Sequence, residues 1–163
     1  MIFRSRAVRR RSDGTFVQSF HDQIPALLVD LGGQLESIID SDDPDLRRLF
    51  PTAYPDDAER DAGYQILARS ELTDARRQAV ATVRRTATSD VLTEDELTDW
   101  MALTNDLRLV LGTKLDVAED DTDDDLDPDD PRAPILNIYH VLGGVLYEIV
   151  QALSDALPDP TDD

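Results

Sequence analysis

Apolar residues recur at helical spacing along most of the chain, and this pattern predicts a mainly α-helical fold. Five stretches carry the pattern: residues 22–39, 56–68, 70–86, 97–115 and 134–157. A further single turn is expected at residues 46–50, inside a proline-rich loop that runs from residue 40 to residue 55. We therefore predict a bundle of five to six helices, with the whole chain, 1–163, as a single helical domain.

The residue pattern from 70 to 86 predicts a helix with one apolar side and one side in contact with water. Its apolar side is formed by Leu72, Ala75, Ala79, Val80 and Val83. Four arginines of the same stretch are expected to stay in contact with water: Arg76, Arg77, Arg84 and Arg85.

The stretch 97–115 has the clearest start signal and an unusual apolar pattern. Thr93 and Glu96 form a capping box, in which each side chain accepts a hydrogen bond from the other residue's backbone amide. Apolar residues then fall on one broad face and also on a smaller stripe made by Met101, Leu109 and Gly112. Because a helix that is apolar on two sides is usually packed on two sides, we place this helix at the centre of the bundle.

Residues 2–20 predict a short N-terminal β-hairpin. The tripeptide Ser12-Asp13-Gly14 separates two short segments, and Asp-Gly is a frequent hairpin turn. The buried face of the hairpin is expected to consist of Phe3, Val8, Phe16 and Phe20.

Two acidic segments flank the last apolar stretch. Residues 119–130 contain nine carboxylates, so like-charge repulsion and Pro128 predict a disordered acidic loop over 117–133. Residues 158–163 form an acidic tail. Aligned as a calcium-binding EF-hand, the loop has Leu126 where glycine is needed and Arg132 where glutamate is needed, which disfavours a specific calcium site.

The helix predicted at 134–157 is apolar around most of its circumference. Such a helix either lies deep in the bundle or forms an interface, so we expect a protein partner or a homodimer at this helix. A membrane span is disfavoured because Asn137, His140, Glu148 and Gln151 interrupt the apolar stretch.

Composition narrows the function classes further. The chain has 35 acidic and 16 basic residues, a formal charge of −19, which disfavours a nucleic-acid partner. The arginine-rich residues 4–11 are the one weak exception. The basic start lacks the apolar stretch of an export signal, so a cytoplasmic location is expected.

Catalytic and metal-binding patterns are not visible in the sequence. There is no cysteine, and the two histidines, His21 and His140, are far apart in the chain. No phosphate-binding glycine loop and no nucleophile elbow are present. We therefore expect no cofactor and no metal, and the balance favours a non-enzymatic protein.

The most informative polar residues lie inside the predicted central helix. Asn105 and Arg108, with Asp106 between them, are expected to turn towards the second apolar stripe rather than to open water. One interpretation is a buried polar network that fixes helix register. The alternative is a pocket for an anion or a carboxylate, anchored by Arg108 and completed by Tyr54 or His140.

Two segments resemble a known family. Residues 49–57, with the sequence LFPTAYPDD, and residues 103–115, with the sequence LTNDLRLVLGTKL, are similar to an uncharacterised actinobacterial family, domain of unknown function two thousand and seventeen. The acidic segment before the last helix departs from the family pattern. The resemblance implies no catalytic residues. Because members are often encoded beside the ClpS adaptor of the Clp protease, it also implies a link to Clp-type proteolysis.

Two functions follow as hypotheses. The first is a non-enzymatic interaction or regulatory protein linked to Clp-type proteolysis. The second is a protein or enzyme that binds a small anionic ligand around Arg108. They differ in whether the polar side chains named above converge on one concave site.

Overall fold

The computed structural model describes residues 6–116 and 129–156, and these residues form a mainly helical structure. Its α-helices are α1 (Gln23–Ile38), α2 (Ala58–Thr86), α3 (Glu94–Leu115) and α4 (Ala133–Ser154), with a 3₁₀ turn at Pro44–Leu46. Three short strands precede or interrupt them: β1 (Val8–Arg10), β2 (Phe16–Gln18) and β3 (Val91–Leu92). Within the described residues there are thus four α-helices, and the prediction of five to six is wrong.

The helix count differs because two predicted helices are one. α2 runs without interruption through Arg69, where the sequence pattern suggested a break between 56–68 and 70–86. No proline stands at this point, and the neighbouring residues favour helix, so nothing in the local chemistry ends the helix there. Asp57 caps its start by accepting a hydrogen bond from the Arg60 amide at 3.0 Å.

The N-terminal strands form a three-stranded antiparallel sheet rather than an isolated hairpin. β1 pairs with β2 across the Asp13-Gly14 turn, where Gly14 has a φ of 84°. β3 adds to the other edge of β2, with Phe16 opposite Leu92. Val8, Phe16 and Leu92 are fully buried. The sequence pattern missed β3 because two residues are too few to show an alternation and the pairing is non-local. Phe3 lies outside the described residues.

α3 lies at the centre, as its two apolar sides predicted. It packs against α1, α2, α4 and the 3₁₀ turn. The capping box is present: Thr93 Oγ1 accepts from the Glu96 amide at 3.2 Å, and Glu96 accepts from the Thr93 amide at 2.9 Å. Trp100 is fully buried and its ring N–H donates to Thr86 Oγ1 at 2.8 Å.

α4 packs on α3 and β1 and starts at Ala133. By length and composition alone, this helix could also cross a membrane, with a mean hydropathy of 1.3 over its most apolar window. Most of the predicted acidic loop, residues 117–128, and the predicted tail at 158–163 lie outside the described residues. Residues 129–132 form a turn that leads into α4.

Candidate functional site

The five candidate side chains do not converge on one site. Tyr54 lies in the loop before α2, Asn105, Asp106 and Arg108 lie on α3, and His140 lies on α4. Asn105 and His140 are exposed. Asn105 lies on the same side of α3 as Met101 and Leu109, but the prediction that it is turned away from open water is wrong. Asp106 and Arg108 face different neighbours, because they are separated by about 200° around the helix.

Asp106 forms a buried ion pair with Arg76 of α2. The Oδ2 atom of Asp106 lies 3.2 Å from Nε of Arg76, and the two side chains are 12% and 14% exposed. The contact is an ion pair rather than an aligned hydrogen bond, since that Nε has no acceptor in hydrogen-bonding geometry among the described residues. Burial raises the pKa of Asp106 to about 6, although the positive charge of Arg76 opposes the rise.

The burial of Arg76 corrects the prediction that it stays in contact with water. Residues 46–50 fold back over α2, so that Arg76 donates to the Leu49 carbonyl oxygen at 2.9 Å and lies 5.0 Å from the Phe50 ring centre. On the same helix, Leu72 and Ala75 were predicted to face inward but are exposed. Leu72 and Arg76 both lie within about 20° of the buried Val83 around α2, so Arg76 belongs to the inward face and Leu72 is exposed without any rotation of that face.

Arg108 lies at the seam between α3 and α4. Its guanidinium carbon is 4.6 Å from the centre of the Tyr139 ring, a cation–π contact. Gly143 leaves room for the guanidinium, since a Cβ there would lie 3.6 Å from the Arg108 Nε. That Nε atom is buried and has no hydrogen-bond partner in the described part of the chain. Arg108 is therefore half-buried and only partly compensated.

A second arginine approaches the same tyrosine. A Cβ on Gly112 would lie 3.2 Å from Nη1 of Arg48 and 3.4 Å from Cε2 of Tyr139. Arg48 and Arg108 thus both lie near the Tyr139 ring. Arg48 approaches the ring beside Gly112, which lies one turn after Arg108 on α3. Two guanidinium groups thus approach one aromatic ring at this seam.

Tyr54 belongs to a different cluster, which fastens the preceding loop to α2. Arg60 stacks on the Tyr54 ring at 4.1 Å, and the edge of Tyr64 meets the same ring at 6.0 Å. The carboxylate of Asp61 accepts hydrogen bonds from the amides of Ala53 and Tyr54, at 2.7 and 3.1 Å. The family-like segment at 49–57 therefore has a clear structural role.

The sequence pattern missed an exposed apolar surface on the first half of α2. Ile66 and Leu67 are each 77% exposed, and Tyr64 is 43% exposed. Tyr64 lies about 160° from Ile66 around the helix, so we call only Ile66 and Leu67 the α2 patch. Beside it lies a cleft of about 300 Å³ between Asp40, Ile66 and Arg77. A signal was available: at 100° per residue, Ile66 and Leu67 are at least about 100° from Val83, which is buried.

A second apolar surface lies on α4. Its outward side chains include Tyr147, Val141 and Val150, which are 63%, 42% and 37% exposed. Glu148 is the only charged residue between 133 and 154, and its carboxylate accepts a hydrogen bond from the Ala7 amide at 2.9 Å. α4 is thus nearly uncharged in a chain of −19.

No group of three or more metal-ligating side chains comes together within residues 6–116 and 129–156. The prediction that the chain has no metal site remains a prediction. Chemically, the described residues offer an apolar surface on α2, a nearly uncharged surface on α4 and a buried guanidinium nitrogen without a hydrogen-bond partner at Arg108.

Comparison with known proteins identifies the family. The sequence profile of the domain of unknown function DUF2017 matches residues 5–153, and the chain belongs to this family. It is similar to the oxidative stress regulator AosR of Mycobacterium bovis and of Mycobacterium tuberculosis. The identity is 33% over 117 residues, which cover 61% of this chain and 53% of each relative. The chain thus spans about half the length of these relatives. No solved structure matches it.

Proposed function

We propose that this member of the DUF2017 family is a non-enzymatic regulatory protein that acts by binding another protein through the α2 patch. The proposal is supported by the exposed apolar surface described above and by the name of its relatives, oxidative stress regulator. A regulatory role through binding requires a recognition surface and no catalytic group, and the α2 patch is such a surface.

The exposure of Ile66 and Leu67 is the observation that carries the proposal. Each is 77% exposed, and they are adjacent on a helix that already has a separate buried face. Burying one such side chain contributes about 1.5–3 kcal/mol. A partner that covers both residues gains this free energy, whereas the fold of the free protein does not use it.

The charges around the α2 patch favour a partner with basic residues beside its apolar face. Glu59 lies two turns before Ile66, and Glu71 lies one turn after Leu67. Neither carboxylate forms an ion pair with any residue that the structure describes. The nearby Arg60 and Arg69 stack on rings of the preceding loop, each at 4.1 Å, and neither forms an ion pair with these carboxylates. An amphipathic helix with basic flanks therefore fits this surface.

A role in oxidative stress does not require that this chain senses oxidants itself. Its 163 residues contain no cysteine, so a thiol cannot be the switch within them. Partner binding is the mode of action that the described surfaces support. The link to Clp-type proteolysis is a further part of the proposal, and the ClpS adaptor is the first partner to examine.

A photo-crosslinking amino acid placed at Leu67 tests the proposal in the native host. The matched control places the same group at Gly33 of α1, where a side chain meets nothing within 4 Å. We expect a defined protein adduct from position 67 and not from position 33. Identical adducts from both positions would contradict the proposal.

The purified partner then gives the quantitative test. The double variant Ile66→Glu, Leu67→Glu should weaken binding by about 30-fold or more, because two central apolar contacts are lost. It should fold as the wild type does, since both side chains are exposed. Equal affinity of variant and wild type would place the binding surface elsewhere.

A second candidate function is the binding of a small anion at Arg108. It is favoured by one observation, the buried Nε that has no hydrogen-bond partner in the described residues. We expect a carboxylate or phosphate ligand to raise the melting temperature of the wild type but not of Arg108→Gln. If both proteins respond equally to acetate and phosphate, Arg108 is a structural residue.

A further inference from the structure

The outward face of α4 is unusual in this chain because it is nearly uncharged. The exposed residues on α4 include Asn137, His140, Val141, Gly144 and Tyr147. Two copies of a chain with a charge of −19 repel each other over most of their surfaces. On this face the repulsion is smallest, so it is the face on which two copies can approach most closely.

Gly144 lies at the middle of the face. A side chain added there would meet nothing within 4 Å, so the backbone of α4 is open to close approach at this point. Between residues 137 and 151, six other residues fall within about 60° on either side of Gly144, counting 100° per residue. They are Asn137, His140, Val141, Tyr147, Glu148 and Gln151.

These six residues are arranged symmetrically about Gly144. Val141 and Tyr147 stand three residues before and after it, and both are apolar. His140 and Glu148 stand four residues away, and an imidazole N–H can donate to the oxygen of Glu148 that the Ala7 amide does not occupy. In an antiparallel pair of helices centred on Gly144, a residue that precedes Gly144 in one copy lies opposite the residue that follows Gly144 by the same number of positions in the other copy. Val141 thus faces Tyr147, and His140 faces Glu148. The face is therefore complementary to itself, as a two-fold interface requires.

The pair farthest from Gly144 between residues 137 and 151 is also complementary. Asn137 and Gln151 stand seven residues before and after Gly144, and each amide can donate to and accept from the other. The pairing thus extends over four turns of helix, which is the length over which nearly antiparallel helices stay in contact.

We propose that a second copy of this chain packs on α4, antiparallel and centred on Gly144, to form a symmetric dimer. This interface is separate from the α2 patch, so it stands or falls independently of the proposed function. The dimer pairs every polar side chain of the face with a polar partner and covers Val141 and Tyr147.

A lipid membrane fits this face less well than a second copy does. Asn137, His140, Glu148 and Gln151 would lose water in a bilayer without gaining partners. The chain's charge of −19 also opposes approach to an anionic membrane surface. A second copy supplies complementary polar groups at matching positions.

Sedimentation equilibrium of the full chain tests the dimer. The monomer has a mass of 18.2 kDa, and we expect the doubled mass at tens of micromolar protein. Because net charge opposes association, the dimer should become tighter when salt is raised. A wild type that remains monomeric would overturn the proposal, including the case in which it is monomeric but sediments with phospholipid vesicles.

The variant Gly144→Glu locates the interface. It should weaken dimerisation by about 30-fold or more, because a carboxylate from each copy meets at the centre. Gly33→Glu on α1 is the matched control, since that glycine is also helical and open. It should dimerise as the wild type does. If Gly144→Glu dimerises as tightly as Gly33→Glu, the interface is not on this face.

A single cysteine provides an independent readout. The chain contains none, so Gly144→Cys introduces one thiol per copy. Helices that cross closely at this point bring the two Cα atoms to about 4–7 Å, the range that a disulfide spans. We expect rapid crosslinking of Gly144→Cys under mild oxidation and little crosslinking of Gly33→Cys. The reverse result would contradict the proposed geometry.

Discussion

Replacing Asp106 by asparagine should change how the free energy of unfolding depends on pH. Burial raises the pKa of this carboxyl from 3.8 to about 6 in the folded protein. A carboxyl whose pKa is higher in the folded state holds its proton more tightly there. Its contribution to stability is therefore fully present below pH 3.8 and is lost as pH rises through 6.

The size of the effect follows from the shift. Raising the pKa from 3.8 to about 6 corresponds to about 3 kcal/mol at 1.36 kcal/mol per unit. The Asp106 side chain is 12% exposed, so solvent screens the interaction only weakly. Between pH 4.5 and 7.5, about 2 kcal/mol of this total should be lost.

Urea denaturation followed by circular dichroism at pH 4.5, 6 and 7.5 measures the effect. The free energy of unfolding of the wild type, relative to Asp106→Asn, should fall by about 2 kcal/mol over this range. Other titrating groups contribute to both proteins and cancel in the difference. Asp30→Asn, at an exposed position of α1, is the control, and its free energy of unfolding should change with pH as that of the wild type does. Parallel pH profiles of wild type and Asp106→Asn would refute the reasoning.

Three further substitutions have defined outcomes in denaturation experiments. Gly33→Ala should raise the free energy of unfolding by about 0.5–1 kcal/mol, because alanine favours helix and the site is open. Gly32→Ala should be less stable than Gly33→Ala by about 1 kcal/mol or more, since its Cβ would meet Leu103 at 3.2 Å. Thr93→Ala should cost about 1 kcal/mol, because the Glu96 amide loses its cap. Equal stability of the two glycine variants, or an unaffected Thr93→Ala, would contradict these assignments.

Features set by local chemistry could be predicted from the sequence. The capping box at Thr93 and Glu96 depends only on residues three positions apart, and the turn at Gly14 depends on one Asp-Gly pair. The central position of α3 follows from apolar residues on two of its sides. In each case the signal lies within one or two turns of the chain.

Features that depend on distant residues could not be predicted. β3 exists because Leu92 pairs with Phe16, far away in the chain. The burial of Arg76 depends on the segment at residues 46–50 folding over α2. Its charge led to the expectation that it stays in water, although it lies only about 20° from the buried Val83 around the helix. The exposure of the α2 patch depends on which elements pack against the first half of α2, and the apolar pattern of residues 56–68 alone does not specify this.

The central claim is that the protein acts by binding a partner through Ile66 and Leu67. The most direct measurement is the affinity of the partner crosslinked from position 67, once purified, for the wild type and for Ile66→Glu, Leu67→Glu. The account predicts that the double substitution weakens binding by about 30-fold or more while the fold is unchanged. Binding of equal strength to both proteins would contradict it.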